Sequence, residues 1–193
     1  MNIFFLDRHP RIAAQYHLDK HVVKMPTEYL QMLSTAHRVM DGQEYTDLSK
    51  NGRRIKRWRH FSDRMEENLY KASHVNHPSN VWLRQSTLHY VWFYQLFLET
   101  AKDYEKRYGR RHKTLDVAEL AGVSTPPQNM YNNGWVDPPL AMPDVYKVGD
   151  AVESYKNYYR GDKASFATWK NKIPDWFTIN NTSLKTTQNS IAT

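Results

Sequence analysis

Residues 77–109, HPSNVWLRQSTLHYVWFYQLFLETAKDYEKRYG, carry the strongest structural signal in the chain. Pro78 is tolerated at the first position of a helix, and Gly109 supplies a stop signal. No residue between them breaks a helix, and the middle of the stretch is apolar on nearly every side. The pattern predicts a long central core helix over about residues 78–108.

Upstream, residues 12–40 have apolar side chains at steps of three and four, which predicts an amphipathic helical region. Pro26 lies inside this pattern. Because proline lacks an N–H group and clashes one turn back, we expect a kink or a break there. Residues 41–60 are polar and basic and are predicted to form a loop, whereas residues 62–74 are compatible with a short helix.

Downstream, the pattern predicts short helices at 115–121, 150–160 and 162–172. Residues 123–146 contain five of the nine prolines and are predicted to form a long Pro-rich loop. No alternating strand series is visible. The predicted fold class is mainly α, with a single compact helical domain over residues 1–177 and a polar, flexible tail at 178–193.

The composition limits the classes of protein to consider. The chain has 193 residues, a formal charge of +7 and no cysteine, which excludes a disulfide scaffold, a zinc ribbon and a thiol nucleophile. No apolar run approaches the 18 residues or so of a membrane span, and the N-terminal stretch does not match a signal peptide. A basic chain with 13% aromatic residues indicates a polyanionic partner, of which nucleic acid is the usual one.

A polar stripe shares the first helical region with its apolar face. His17, His21, Lys24 and Glu28 recur at steps of three and four, so they lie on one side of the helix. Two interpretations remain open: a solvated Lys24–Glu28 ion pair, or a site in which Lys24 is an amine nucleophile and Glu28 steers protons. The two histidines lack the remainder of a metal-binding motif, so no metal or other cofactor is predicted.

Two short blocks concentrate the positive charge. Residues 50–59 hold six Lys/Arg and residues 106–113 hold five, which favours neutralisation by a phosphate backbone. Around residues 155–170, aromatic and cationic residues alternate as they do on surfaces that stack bases. The predicted nucleic-acid-binding residues are Arg53, Arg54, Lys56, Arg57, Arg59, Arg84, Arg110, Arg111, Tyr155, Tyr159 and Lys163.

Three stretches of the chain carry a family resemblance. The first runs from Asn2 through residues 13–18 (AAQYHL) to Pro26, the second is the His77-Pro78 pair followed by Trp82, and the third runs from residue 96 to the basic end near residue 112. Together they cover about the first 110 residues. In this order they resemble the small phage and bacterial pyrimidine-dimer DNA glycosylases, the endonuclease V type of UV-repair enzyme.

The resemblance implies a compact all-α fold, binding of duplex DNA across a basic face, a flipped-out base and an amine nucleophile. In that family the nucleophile is a threonine amine exposed by removal of the initiator methionine, and a catalytic glutamate lies two residues before the proline. Here Asn2 and Lys24 occupy those positions, and Glu28 is the nearest acid on that helix face. The resemblance leaves open whether the chemistry moved to Lys24 and Glu28 or the fold serves another task.

The leading functional hypothesis is a DNA-binding enzyme that acts on a base or an abasic site in double-stranded DNA. One alternative is a non-catalytic DNA-binding or inhibitor protein. Another is a metal-dependent hydrolase that uses histidines, namely His17, His21 and His37 with His74 and His77. The small, basic chain also resembles a phage gene product, and the lack of cysteine predicts a cytoplasmic location, in the host if the protein is phage-encoded.

Overall fold

The computed structural model describes residues 2–177, which form a mainly α-helical architecture with one small sheet. Two short 3-10 turns, Asp144–Tyr146 and Ala164–Phe166, lie in the C-terminal third. No helix among the described residues is both long and apolar enough to cross a membrane. The helices are α1 (Pro10–Gln15), α2 (Asp19–Asp41), α3 (Asp63–Asn68), α4 (Pro78–Gln85), α5 (Thr87–Tyr108), α6 (Thr114–Ala121) and α7 (Ala151–Arg160), and the strands are β1 (Gly42–Leu48) and β2 (Arg54–His60).

The hydrophobic core is built around α2 and α5. The extended segment of residues 3–6 (IFFL) is almost completely buried against them, and Tyr155 and Tyr159 of α7 close the same core. Burial of such large side chains contributes on the order of 2 kcal/mol each. The core therefore joins residues near both ends of the described chain.

Helix α2 runs through Pro26 without interruption, so of the two expected outcomes, a kink or a break between two helices, the break is wrong. A proline inside a helix costs about 3 kcal/mol through its lost hydrogen bond and its steric clash. Here Val22, Met25 and Tyr29, which flank the proline, are all fully buried. Packing of this face stabilises the helix across the proline because tertiary burial outweighs local propensity.

The predicted helix over 78–108 is instead two helices, α4 and α5, separated at Ser86. Ser86 has extended backbone angles, and its Oγ atom accepts hydrogen bonds from the N–H groups of Leu88 and Asn133. The residue is thus the N-cap of α5, which favours a new helix start over continuation. The end at Gly109 is confirmed, with the glycine in the left-handed conformation.

Residues 41–60 do not form the predicted loop, because most of them belong to an antiparallel hairpin in which Gly42 pairs with His60 and Leu48 pairs with Arg54. The turn contains Asn51 and Gly52, and the glycine has a φ of 72°, a conformation that glycine adopts without strain. The hairpin extends from the C-terminal end of α2, and most of its residues are exposed.

The remaining helices predicted from the sequence are confirmed only in part. The helices predicted near 115–121 and 150–160 are present as α6 and α7, whereas 162–172 contains only a 3-10 turn. The predicted helix of 62–74 is shorter and ends at Asn68. Residues 122–143 contain neither helix nor strand, and the polar tail predicted at 178–193 lies outside the described residues.

Candidate functional site

An open groove of about 990 Å³ lies at the base of the hairpin. Its walls come from the hairpin, the C-terminal end of α2, residues 72–76 and α4. Lys56, Arg57 and Arg84 contribute positive charge, and the single carboxylate in the wall, Glu44, pairs with Lys56 at 2.8 Å. The groove is therefore a basic concavity with little internal neutralisation.

Arg84 is half-buried in the wall of this groove. Its Nη2 atom donates to the Val75 carbonyl at 2.7 Å, whereas its Nη1 atom is buried and has no hydrogen-bond partner. Burial lowers the pKa of Arg84, and no carboxylate of the described residues lies within ion-pair distance of it. An unpaired buried guanidinium is costly, so this position favours an anionic ligand.

Arg57, which also lines the groove, has a similar feature. It is half-buried in β2, its Nε atom is buried without a partner, and none of the ion pairs among the described residues includes it. Trp58, the next residue, also lines the groove. Two arginines with unused N–H donors, in a groove that an aromatic residue also lines, provide contacts of the type that bind phosphate and bases.

The exposed edge of the hairpin adds further cations. Arg53, Arg54, Lys56 and Arg59 are exposed. These residues and Arg57 make up most of the predicted basic block of residues 50–59, which the hairpin presents together with the groove. The structure thus brings six of the predicted nucleic-acid-binding residues to one part of the surface: Arg53, Arg54, Lys56, Arg57, Arg59 and Arg84.

The second basic block lies elsewhere. His112 contacts the Val23 carbonyl near the beginning of α2, whereas the hairpin leaves α2 at Gly42, about 28 Å further along at 1.5 Å per residue. Arg111 already pairs with Asp116 and Glu119, and Arg110 donates to the Tyr104 hydroxyl at 2.6 Å. The two basic blocks therefore lie on different parts of the surface, and Arg111 of the second block is neutralised by two carboxylates of α6.

The prediction that two tyrosines stack on bases is also wrong. Tyr155 and Tyr159 are both fully buried, where the Tyr155 hydroxyl donates to the Pro139 carbonyl at 2.8 Å. Neither ring lies on a surface open to nucleic acid. Lys163 pairs with Asp162 and lies 4.4 Å from the centre of the Tyr158 ring, so its charge is locally compensated.

The histidines of the polar stripe lie inside the protein. His17 donates through Nδ1 to the Ala13 carbonyl, and its Nε2 atom is 2.7 Å from the Tyr29 hydroxyl. The Nδ1 atom of His21 lies 2.6 Å from the Tyr159 hydroxyl, and its ring stacks on Phe4. Burial lowers the pKa of His17 to about 4 and that of His21 to about 2, so both rings are neutral at pH 7.

Lys24 and Glu28 form the ion pair that their spacing predicts. The Lys24 Nζ atom lies 2.8 Å from the Glu28 Oε1 atom, with the lysine side chain 68% exposed and that of Glu28 only 16% exposed. Neither residue lines the basic groove. The position of this pair is typical of a surface ion pair, and its role as nucleophile and acid stays a prediction.

The other candidate histidines do not join His17 and His21. The Nδ1 atom of His77 accepts from the Ser79 N–H group as the N-cap of α4. His74 lines the groove and has a φ of 49°, an unusual value for a residue other than glycine. His37 is buried beside Tyr90 and, instead of meeting the predicted histidines, faces His60, which the sequence did not single out.

The buried neutral histidines predict a stability that falls in acid. The folded state keeps His17, His21 and His37 neutral, since burial lowers the pKa of each, whereas the unfolded chain binds protons below about pH 6.5. Above that pH we expect these three histidines to cause no decrease in the free energy of unfolding. Between pH 6.5 and about 4.5 it should decrease by ~1.4 kcal/mol per pH unit for each histidine.

Urea unfolding at several pH values measures this slope. The slope is measured between pH 6 and 5, above the midpoints of ordinary Asp and Glu titration at about pH 3.9 and 4.3. His9→Gln is the matched control, because His9 is exposed at the start of α1, and its slope should equal that of the unmodified protein. A free energy of unfolding that is constant between pH 7 and 5 would contradict the assignment of neutral buried rings.

No model of a known protein family matches this chain, and neither does any curated protein or solved structure.

Proposed function

We propose that this chain is a nucleic-acid-binding protein with double-stranded DNA as its partner, built on a single helical domain. The core supports the single domain, because it includes residues from Ile3 to Tyr159 in one cluster. The observation that carries the proposed function is the basic groove, in which one buried nitrogen each of Arg57 (Nε) and Arg84 (Nη1) has no hydrogen-bond partner. With its side chain turned towards the groove, each arginine would donate its unused N–H group to a phosphate oxygen.

The hairpin supports duplex DNA as the partner. It is a two-stranded antiparallel ribbon with five exposed cations, Lys50 in the turn included, and a ribbon of this width fits the major groove of B-form DNA. Contacts from the ribbon and from the groove at its base would follow the phosphate backbone on the same side of the protein. Such contacts are largely independent of sequence.

Action on a base or an abasic site is a further step of the same proposal. The Lys24–Glu28 pair lies on α2, about 17 Å along the helix axis from the groove residue Val39. A duplex held by the hairpin and running beside α2 would bring its backbone towards this pair. The amine and the carboxylate at 2.8 Å are the groups that such chemistry needs.

Salt dependence of DNA binding tests the proposed function. Fluorescence anisotropy with a labelled duplex, repeated between 50 and 300 mM salt, should give log Kd against log salt with a slope of about 3 to 5, because the groove and hairpin neutralise roughly that many phosphates. The duplex should also compete better than a single strand of the same length. A slope near zero, or no binding at the lowest salt, would contradict the proposal.

A further inference from the structure

A cluster of three metal-ligating side chains lies where α2 meets the hairpin. One ligand atom each of His37, Asp41 and His60 lies within 4.8 Å of the other two, and this is the one such group among residues 2–177. His37 and Asp41 are one helical turn apart on α2, so they face the same way. His60 arrives beside them because its backbone pairs with Gly42, the residue after Asp41.

Gly42 makes this approach possible. A Cβ atom at this position would lie 2.4 Å from the Arg38 carbonyl oxygen and 2.8 Å from that of Arg59, closer than real side chains come. Only glycine lets the hairpin pair so tightly against the end of the helix. The approach of His60 to helix α2 therefore depends on the glycine at position 42.

Both imidazole rings have an unused nitrogen. His37 Nδ1 and His60 Nε2 are buried without a hydrogen-bond partner, and the two residues are 1% and 9% exposed. The Thr125 carbonyl lies close to His37, but no atom has hydrogen-bonding geometry with the Nδ1 atom of this ring. An unpartnered buried polar atom costs about 1–3 kcal/mol.

The surrounding residues orient these ligands. His37 donates through Nε2 to the Tyr90 hydroxyl at 2.8 Å, and that hydroxyl donates to the Val123 carbonyl at 2.8 Å. This chain places the proton of His37 on Nε2 and leaves the lone pair on Nδ1. The Asp41 carboxylate accepts from the N–H groups of Gln128 and Asn129 at 2.8 and 2.9 Å. Such outer contacts are typical of metal sites.

We propose that His37, Asp41 and His60 bind a divalent transition metal of the zinc class. Two imidazole nitrogens and one carboxylate oxygen are a donor set that suits Zn²⁺ and Co²⁺, whereas Mg²⁺ and Ca²⁺ prefer oxygen ligands throughout. Three protein ligands leave a fourth position open for water or another ligand. The site is independent of the proposed DNA binding, since none of its three residues lines the basic groove.

Metal binding requires one rearrangement at His60. Its Nδ1 atom accepts from the Ser62 N–H group at 3.1 Å, so the neutral ring carries its proton on Nε2. On binding, that proton leaves Nε2 and a proton occupies Nδ1, while the Ser62 N–H group turns to another acceptor or to water. Proton number is conserved on the ring, and the Nε2 lone pair becomes free to coordinate.

The test uses the full chain stripped of metal with a chelator and then titrated with Co²⁺ and with Zn²⁺. We expect one ion per chain, a visible Co²⁺ absorption spectrum typical of low coordination number, and a higher Tm with Zn²⁺. His60→Gln should weaken binding by about 100-fold or more, since it removes one of three ligands. His9→Gln, which removes an exposed imidazole, should have no effect.

A second variant keeps the test decisive if His60→Gln does not fold. Tyr90→Phe preserves the ring in the core but removes the hydroxyl that accepts from His37, and should reduce metal affinity by about 10- to 100-fold. Tyr94→Phe removes a hydroxyl one turn along the same helix and should leave affinity unchanged. Absence of binding by the unmodified chain, or equal effects of the Tyr90 and Tyr94 variants, would overturn the proposal.

Discussion

Replacing Arg84 by glutamine is expected to weaken binding to duplex DNA by about 10- to 100-fold, whereas the same change at Arg111 should leave it within about twofold. Both variants remove one positive charge, so a purely global electrostatic effect would lower the affinity for DNA equally in the two. The difference comes from the surroundings: Arg84 lines the groove and has an unpartnered Nη1 atom, whereas Arg111 pairs with two carboxylates on the surface. A charge-assisted hydrogen bond to phosphate contributes ~1.5–3 kcal/mol.

Anisotropy titrations at one fixed salt concentration compare the two variants directly. Because Arg84 also holds the Val75 carbonyl, thermal unfolding of each variant must show that the fold persists. The salt slope provides a second measurement, since loss of one phosphate contact should lower it by about 0.9 for Arg84→Gln alone. Equal losses of affinity in the two variants would mean that the groove is not the binding surface.

The elements that the sequence predicted well are those whose signals are local. Gly109 ends α5 in a left-handed conformation, and α7 begins after its N-cap residue Asp150, whose side chain accepts from the Glu153 N–H group. Such end signals depend on a few neighbouring residues, so they can be read without knowledge of the fold. The apolar middle of α5 is likewise visible in one window of sequence.

The hairpin was missed because its strands do not alternate between apolar and polar residues. Most of the ribbon is exposed, so neither face needs the apolar pattern by which strands are usually recognised. The pair Asn51-Gly52 is a known turn signal for hairpins and would have indicated one. Ser86 was similarly overlooked as a helix N-cap, because the apolar pattern continues on both sides of it.

The candidate sites depend on long-range packing and could be predicted only in part. Basic residues of the hairpin were recognised from their charge density, but the unpartnered N–H groups of Arg57 and Arg84 follow from tertiary burial. His60 lies far along the chain from His37 and reaches it only through the hairpin register. Conversely, Tyr155 and Tyr159 lie in a stretch whose composition is typical of a base-stacking surface, yet both rings are buried in the core.

Replacing Arg38 by methionine is expected to lower the free energy of unfolding by about 3–5 kcal/mol, because the substitution breaks a buried charged network. Arg38 is 4% exposed, and its guanidinium donates to the carbonyl oxygens of Trp58, Tyr70 and Leu69 and to both the backbone and the carboxylate of Glu66. Methionine fills a similar volume but leaves all five acceptors without this donor.

The consequences extend from stability to the hairpin. Glu66, which Arg38 holds, also accepts from the His60 N–H group at 2.7 Å, so the variant should loosen the hairpin base even where the helices stay folded. Arg64→Met is the matched control, because Arg64 lies on α3 and also donates to carbonyls, those of Glu119 and Leu120, but is exposed. Its cost should stay below about 1 kcal/mol. Urea unfolding measures both, and equal losses would show that the Arg38 network does not hold the hairpin to the helices.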